Sequence, residues 1–163
     1  MATPLDARIP PPVWTLGMAT AQWLLAGRPD YRRRPGPVRF LFAGTIGTLS
    51  AVLGIAAAAQ FISHKTTLHP DTPAHARIIV TDRVFGFTRN PMYLALTGML
   101  VTNAAWLGSV RAIIPVAAQT AILTTFQILP EERALQEKFG RPYEEYRSRV
   151  PRWIGLPRRT RVR

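Results

Sequence analysis

The sequence predicts an all-α integral membrane protein with about four transmembrane helices and a C-terminal interfacial helical segment. Three observations carry that expectation. Nearly half of the 163 residues are hydrophobic, yet the formal charge is +12. The basic residues gather at 28–39, at 77–89 and from 133 onward, and bracket apolar runs, as in membrane proteins. One run, 40–62, holds no charge over 23 residues, more than the roughly 20 that cross a bilayer as a helix. A nucleic-acid binder spreads its basic residues over a folded surface with aromatics among them, so no nucleic-acid partner is expected. The absence of cysteine excludes a disulfide framework, a thiolate metal site and a cysteine nucleophile.

The chain reads as one domain over 1–163. Its first 14 residues, MATPLDARIPPPVW, lack the charged start and cleavage site of a signal peptide, so the first apolar segment, about 12–27, is expected to remain. That segment is short for a span. The second, 40–62, carries Gly44, Gly47, Ser50 and Gly54, small residues at spacings that let helices approach closely in lipid. The third and fourth spans, about 91–107 and 112–129, are separated only by Gly108–Arg111 and form an antiparallel hairpin. Beyond 129, Pro130 suits a helix N1 position, and Glu131 and Glu132 fall in a first turn whose dipole favours negative charge. Leu135 and Phe139 share a face, Gly140 stops that helix, and a second short helix runs from Pro142 to about Val150 before Pro151. The tail, 158-RRTRVR-163, reads as disordered and drawn to anionic headgroups.

Four spans put the N-terminus, the 63–90 segment and the C-terminus on one side. The arginines after 130 mark that side as cytoplasmic. Arg28, Arg32, Arg33, Arg34 and Arg39 then fall outside, against the same rule, so the crossing of the first segment is left open.

The chemistry concentrates at 89-RNPMY-93. A residue before proline is pushed out of the helical region and proline favours the first turn, so a helix starts at Pro91 with Asn90 as its cap. Its free N–H groups suit an anion. Arg89 adds a fork of donors matched to carboxylate or phosphate, and Tyr93 can face the same mouth. An interfacial anchor of Arg and Tyr accounts for the same residues. Glu131 and Glu132 are either plain first-turn acids or ligands for hydroxyls, an amine or a cation. His64, His69 and His75, spaced five and six apart without an acidic pair, do not read as a metal site. No Gly-rich phosphate loop follows a strand pattern.

Three blocks in order then resemble a known family: 66-TTLHP-70, 78-IIVTDRVFGFTRNPMYLAL-96 and 131-EERALQEKFGRPYEEYRSRVPRWI-154. The chain is similar to the isoprenylcysteine carboxyl methyltransferase family and its phospholipid methyltransferase relatives, in particular the short bacterial members. The RNPMY core matches that family's Arg-(His/Asn)-Pro-x-Tyr motif. The last block matches its Glu-Glu, Phe-Gly, Tyr-x-x-Tyr and Val-Pro-Arg-Trp pattern. The family's Gly-Pro-(Tyr/Phe)-Arg-(Tyr/Phe) run is altered here to Arg83-Val84-Phe85-Gly86-Phe87.

The resemblance implies a membrane enzyme, a methyltransferase of the EC 2.1.1 type, that uses S-adenosylmethionine at the cytosolic face of a bacterial inner membrane. Arg89, Tyr93 and Glu132 are the implied catalytic residues. His69, Arg89, Asn90, Pro91, Tyr93, Glu131, Glu132, Tyr146 and Arg152 are the implied cofactor contacts, with no metal. The acceptor is a lipophilic molecule arriving from the bilayer or a small molecule, and membrane lipids are the other partners. A carboxylate acceptor needs no general base, whereas an amine must react neutral. An NADPH-dependent membrane lipid reductase and a non-catalytic protein that keeps the scaffold are the competing readings. The acceptor's identity and the oligomeric state are not legible in the sequence.

Overall fold

A computed structural model of the chain describes residues 9–63 and 81–155. His64, His69, His75, the 66-TTLHP-70 block and the basic tail lie outside the described residues. Helix α1 spans Pro11–Leu25, α2 Pro37–Ser63, α3 Pro91–Leu107, α4 Ile113–Leu123, α5 Leu129–Phe139 and α6 Arg141–Arg149. Short 3₁₀ turns cover Arg83–Gly86 and Val110–Ala112, and a π-turn covers Thr124–Ile128. No strand occurs among the described residues.

Two stretches, Pro37–Gln60 and Val110–Phe139, are long and apolar enough to cross a membrane. Helices α1 and α3, with 15 and 17 residues, fall short of about 20, so two of the four expected spans are supported on length and composition. Helix α2 exposes Val38, Leu41, Leu49, Val52, Ile55 and Ile62. A contiguous exposed apolar face of this kind suits lipid or a partner rather than water.

Helix α3 is central, packing on α2 along one side and on α1 and α4 along the other. The α2–α3 seam is made by small residues, as the sequence pattern predicts. A Cβ at Gly47 would sit 3.2 Å from Thr102, and one at Gly54 3.3 Å from Ala95. At Gly98 it would lie 2.0 Å from Ser50 Oγ and 3.1 Å from Ser50 Cβ. The hydroxyl can rotate away, but the Cβ contact stays tight. Gly98→Ala is therefore expected to cost roughly 1–3 kcal/mol by overpacking, and Ser50→Gly in the same chain to restore most of it. Detergent-solubilised melting curves check this; an unchanged midpoint for Gly98→Ala would mean the helices are not that close.

The α1–α3–α4 seam is tied by polar groups. Gln22, fully buried, donates through Nε2 to the carbonyls of Leu100 (2.9 Å) and Ala112 (2.8 Å), and its Oε1 accepts from Asn103 Nδ2 (2.8 Å). The Leu100 carbonyl lies midway along α3 and that of Ala112 at the turn into α4, so Gln22 fixes α1 against that hairpin. The turn itself depends on Gly108, which has φ +64° and carries the Arg39 guanidinium where a side chain would stand. An L-residue with a Cβ is disfavoured there.

The expectation that Pro130 starts a separate helix needs correction. Pro130 does lie in the first turn of α5, but α5 continues α4 without a break through the π-turn, where the Leu129 N–H bonds the Thr124 carbonyl. Proline has no N–H for the carbonyl four residues back, and its ring clashes with it. A five-residue hydrogen-bond step relieves both and leaves the helix continuous. The dipole argument for Glu131 and Glu132 accordingly lapses, because no free helix N-terminus lies beside them.

Candidate functional site

The start of α1, the start of α3 and the α5–α6 segment meet at one end of the bundle. Gln127 Nε2 donates to the Ile9 carbonyl (2.9 Å), and Trp153 Nε1 donates to Thr124 Oγ1 (3.1 Å). Tyr93, Leu123 and Ile128 form the apolar floor, with Trp14, Leu96 and Trp153 packed on it.

Above that floor the two polar blocks of the sequence are joined through the backbone. The Arg89 N–H donates to the Pro151 carbonyl (2.9 Å). Thr88 Oγ1 (3.1 Å) and Asn90 Nδ2 (3.0 Å) both donate to the Arg152 carbonyl. Asn90 thus holds the N-cap position of α3 but makes no side-chain cap bond. The expected capping role is corrected: its amide is taken by the C-terminal block, which lies within reach. Pro91 is fully buried at the helix start.

One carboxylate organises the centre. Glu132 Oε1 lies 2.8 Å from Arg89 Nη1 and accepts from Arg152 Nε at 2.9 Å; its Oε2 accepts from Arg152 Nη2 at 2.8 Å. The Arg152 contact is the two-pronged fork that guanidinium geometry favours. Arg89 and Glu132 side chains are each 9% exposed, against 35% for Arg152. Two arginines around one glutamate leave a net positive centre. The Arg89 Nε is buried with no hydrogen-bond partner among the described residues.

The tyrosines surround this cluster. Tyr93 donates its hydroxyl to Glu131 Oε1. Tyr146 donates to the Phe85 carbonyl (2.8 Å), fixing α6 to the altered 83–87 run. Tyr143, which sequence reasoning did not select, is fully buried beside the Arg89 guanidinium. Its spacing of three from Tyr146 was the available signal. Burial, and after it the Glu132 charge, pushes the Tyr143 hydroxyl up, with Arg89 opposing. Burial pushes Tyr146 higher still, and the Glu132 hydrogen bond raises Arg152.

The two raised phenols have a stability consequence. In the folded protein they stay neutral beyond pH 10, whereas in the unfolded chain they ionise there. Their contribution to stability is therefore complete below about pH 10, the ordinary phenol value, and declines as pH rises through the folded-state values. Alkaline titration of phenolate absorbance is expected to show Tyr143 and Tyr146 ionising late or only with unfolding. Tyr143→Phe should remove one of them.

Beside the cluster a cleft of about 320 Å³ opens between α5 and α6, lined by Leu129, Glu132, Arg133, Gln136, Arg147 and Arg152 among others. That is the lower end of the size range of small-molecule pockets, roughly 300–1,000 Å³. Among the described residues no group of three potential metal ligands occurs. Of the sequence-selected residues, Arg89, Asn90, Pro91, Tyr93, Glu131, Glu132, Tyr146 and Arg152 gather at this end. His69 lies outside the described residues.

A family model described as phospholipid methyltransferase matches residues 40–142, from the start of α2 into α6. An uncharacterized protein of Haemophilus influenzae is 38% identical over 63 residues, which is 39% of this chain and the whole length of that protein. No solved structure matches the chain.

Proposed function

The chain belongs to the phospholipid methyltransferase family, and from that premise we propose that it transfers a methyl group from S-adenosylmethionine to a lipophilic acceptor at a membrane surface. The observation that carries the proposal is the Arg89–Glu132–Arg152 cluster, which joins both polar blocks at one end of an apolar bundle. Helices α1 to α4 are read as a four-span bundle. Among the described residues, Arg28, Arg32, Arg33, Arg34, Arg39 and Arg111 flank its far end, whereas Arg83, Arg89, Arg133, Lys138, Arg141, Arg147, Arg149 and Arg152 belong to the end that holds the cluster. The positive-inside rule then makes that end cytoplasmic, where a polar cofactor arrives from water and an acceptor from the bilayer.

The residues present fit such a cofactor. The molecule carries an amino-acid zwitterion, ribose hydroxyls and an adenine, and the cleft offers guanidinium, amide, carboxylate and apolar groups together. The unpartnered Arg89 Nε and the surplus positive charge suit an anionic group, either the methionyl carboxylate or an acceptor carboxylate or phosphate. Glu132, already engaged by both arginines, holds them in place. Arg147, Gln136 and Arg152 line the entrance, and Tyr146 fixes the covering segment. Tyr93, part of the apolar floor, holds Glu131 through its hydroxyl at the place where an acceptor would lie. When bound, the cofactor supplies a methyl group on a positively charged sulfur. The protein contributes alignment, for which ideal cases reach roughly 7–11 kcal/mol, and a dry site in which charge moves off sulfur.

Calorimetric titration of S-adenosylmethionine into detergent-solubilised protein tests this. Micromolar binding is expected, weakened about tenfold by Gln136→Ala or Arg147→Ala, two lining residues outside the buried ion cluster. Binding of NADPH in a parallel titration, with none of S-adenosylmethionine, would transfer the chain to the reductase reading.

A further inference from the structure

The end of the bundle away from the candidate site carries an ordered basic surface. Residues 26–36, which connect α1 to α2, hold Arg28, Arg32, Arg33 and Arg34, and Arg39 and Arg111 stand at the same end. All six are exposed. Among the described residues this end has one carboxylate, Asp30, and its Oδ1 accepts from the Arg32 N–H at 2.9 Å. Asp30 thus turns the chain and neutralises no guanidinium. Among the described residues no ion pair or side-chain hydrogen bond engages any of the six. The end that holds the cluster differs: its described part sets six acids among eight basic residues, with the Arg141–Glu145 pair on its surface.

The connection is fixed to the bundle. The Gly27 and Arg28 N–H groups bond back to the carbonyls of Leu24 (3.0 Å) and Trp23 (2.9 Å), and Trp23 Nε1 donates to the Pro29 carbonyl (3.1 Å). The Tyr31 hydroxyl donates to Asn103 Oδ1 (3.1 Å), and the Asn103 amide donates in turn to the buried Gln22. Arg28 takes φ +55°, a left-handed conformation uncommon for a residue with a Cβ. Like charges fixed together repel one another, and an anion offsets that.

The surroundings indicate which anion. Val38, Phe40 and Leu41 beside Arg39, and Val110, Ile113 and Ile114 around Arg111, are exposed. These arginines begin the two stretches long and apolar enough to cross a membrane, Pro37–Gln60 and Val110–Phe139. The cations therefore stand where lipid-facing surface ends, at the level of headgroups. Arg39 has a local role, because its guanidinium sits over Gly108 at the C-terminal end of α3, where the helix dipole favours a cation. The other five have none of this kind. In the orientation proposed above they also run against the positive-inside rule, so insertion does not account for them.

We propose that the α1–α2 connection is a docking surface for anionic phospholipid headgroups in the leaflet opposite the candidate site. Arg28, Arg32, Arg33, Arg34 and Arg111 meet the phosphates, whose oxygens match the guanidinium fork. The bound lipid is a neighbour of the protein and not its methyl acceptor, so the inference does not depend on methyl transfer.

The full chain in neutral detergent is titrated with phosphatidylglycerol and with phosphatidylcholine of the same acyl chains, and binding is read by thermal shift. Phosphatidylglycerol is expected to bind about tenfold more tightly, and about 0.5 M salt to erase most of the difference. The combined change Arg32→Gln, Arg33→Gln and Arg34→Gln should remove most of the preference and leave the lipid-free melting temperature unchanged, since all three side chains are exposed. Arg32→Lys, Arg33→Lys and Arg34→Lys together should keep it. So should Lys138→Gln, Arg141→Gln and Arg149→Gln, which remove as much charge from the other end. Equal binding of the two lipids by the unaltered chain overturns the proposal. A preference that outlasts loss of the three arginines, or that fails with the three changes at the other end, does the same. Inorganic pyrophosphate that stabilises the chain as well as phosphatidylglycerol does would assign the surface to a soluble anion and overturn it too. The comparison of lipids and salt on the unaltered chain needs no variant to fold.

Discussion

Glu132→Ala is expected to destabilise the protein by roughly 3–5 kcal/mol, the cost of leaving a buried charge without its partner. Glu132 and Arg89 are almost fully enclosed, and the same carboxylate receives the Arg152 fork. Its removal leaves two guanidiniums facing each other across the site. The exposed Arg141–Glu145 pair, 88% and 61% exposed at 3.1 Å, provides the contrast. Glu145→Ala should cost less than about 1 kcal/mol, because water already solvates both groups. Thermal unfolding of the two variants in detergent decides between them, and a small effect of Glu132→Ala would mean that water reaches the cluster. A second comparison isolates function. Replacing all three members with apolar residues of similar size (Arg89→Met, Glu132→Leu, Arg152→Met) should recover much of the stability and still abolish S-adenosylmethionine binding. Recovered stability with retained binding would remove the cluster from the site.

Much of this end of the molecule was legible in the sequence, for identifiable reasons. Arg89-Asn90-Pro91 marks a helix start through proline's fixed φ and its effect on the preceding residue, and α3 begins at Pro91. Gly140 marks a stop, and the chain takes φ +57° there. The small residues at Gly47, Ser50 and Gly54 mark a close helix seam, and they face α3. What stayed hidden is what depends on meeting across the chain. The Asn90 amide was assigned to its own helix because capping is local, whereas its acceptor is the Arg152 carbonyl, 62 residues away. The bond from the Arg89 N–H to the Pro151 carbonyl leaves no trace in side-chain pattern. Glu132 looked like a first-turn acid, since its two partners lie on different segments. Pro130 looked like a break because the π-turn that accommodates it carries no composition signal of its own.

That π-turn sets the second large effect. The buried residues Leu123 and Glu132 are nine positions apart. At about 100° per residue an unbroken α-helix would put them on opposite faces. The π-turn absorbs one residue and brings Glu132 back by about 100°, so that it reaches Arg89. Thr125, exposed within the turn, is the residue to remove. Its deletion together with Pro130→Ala leaves a plain α-helix in which Leu123, Gln127, Ile128 and Glu132 are related by steps of three, four and eight. All four then stay on one face, and stability and cofactor binding are expected to persist within about tenfold. One alanine inserted between Thr124 and Thr125 adds a further turn of about 100°. It withdraws Glu132 from both arginines, with a loss of roughly 3–5 kcal/mol and of at least about 100-fold in methyl transfer, since small misplacements at a reacting centre already cost that much. Melting temperature and S-adenosylmethionine titration on the pair read the outcome. A tolerated deletion beside a ruinous insertion identifies the π-turn as a register device. Loss of binding on deletion would instead assign the π-turn's own backbone a part in the site.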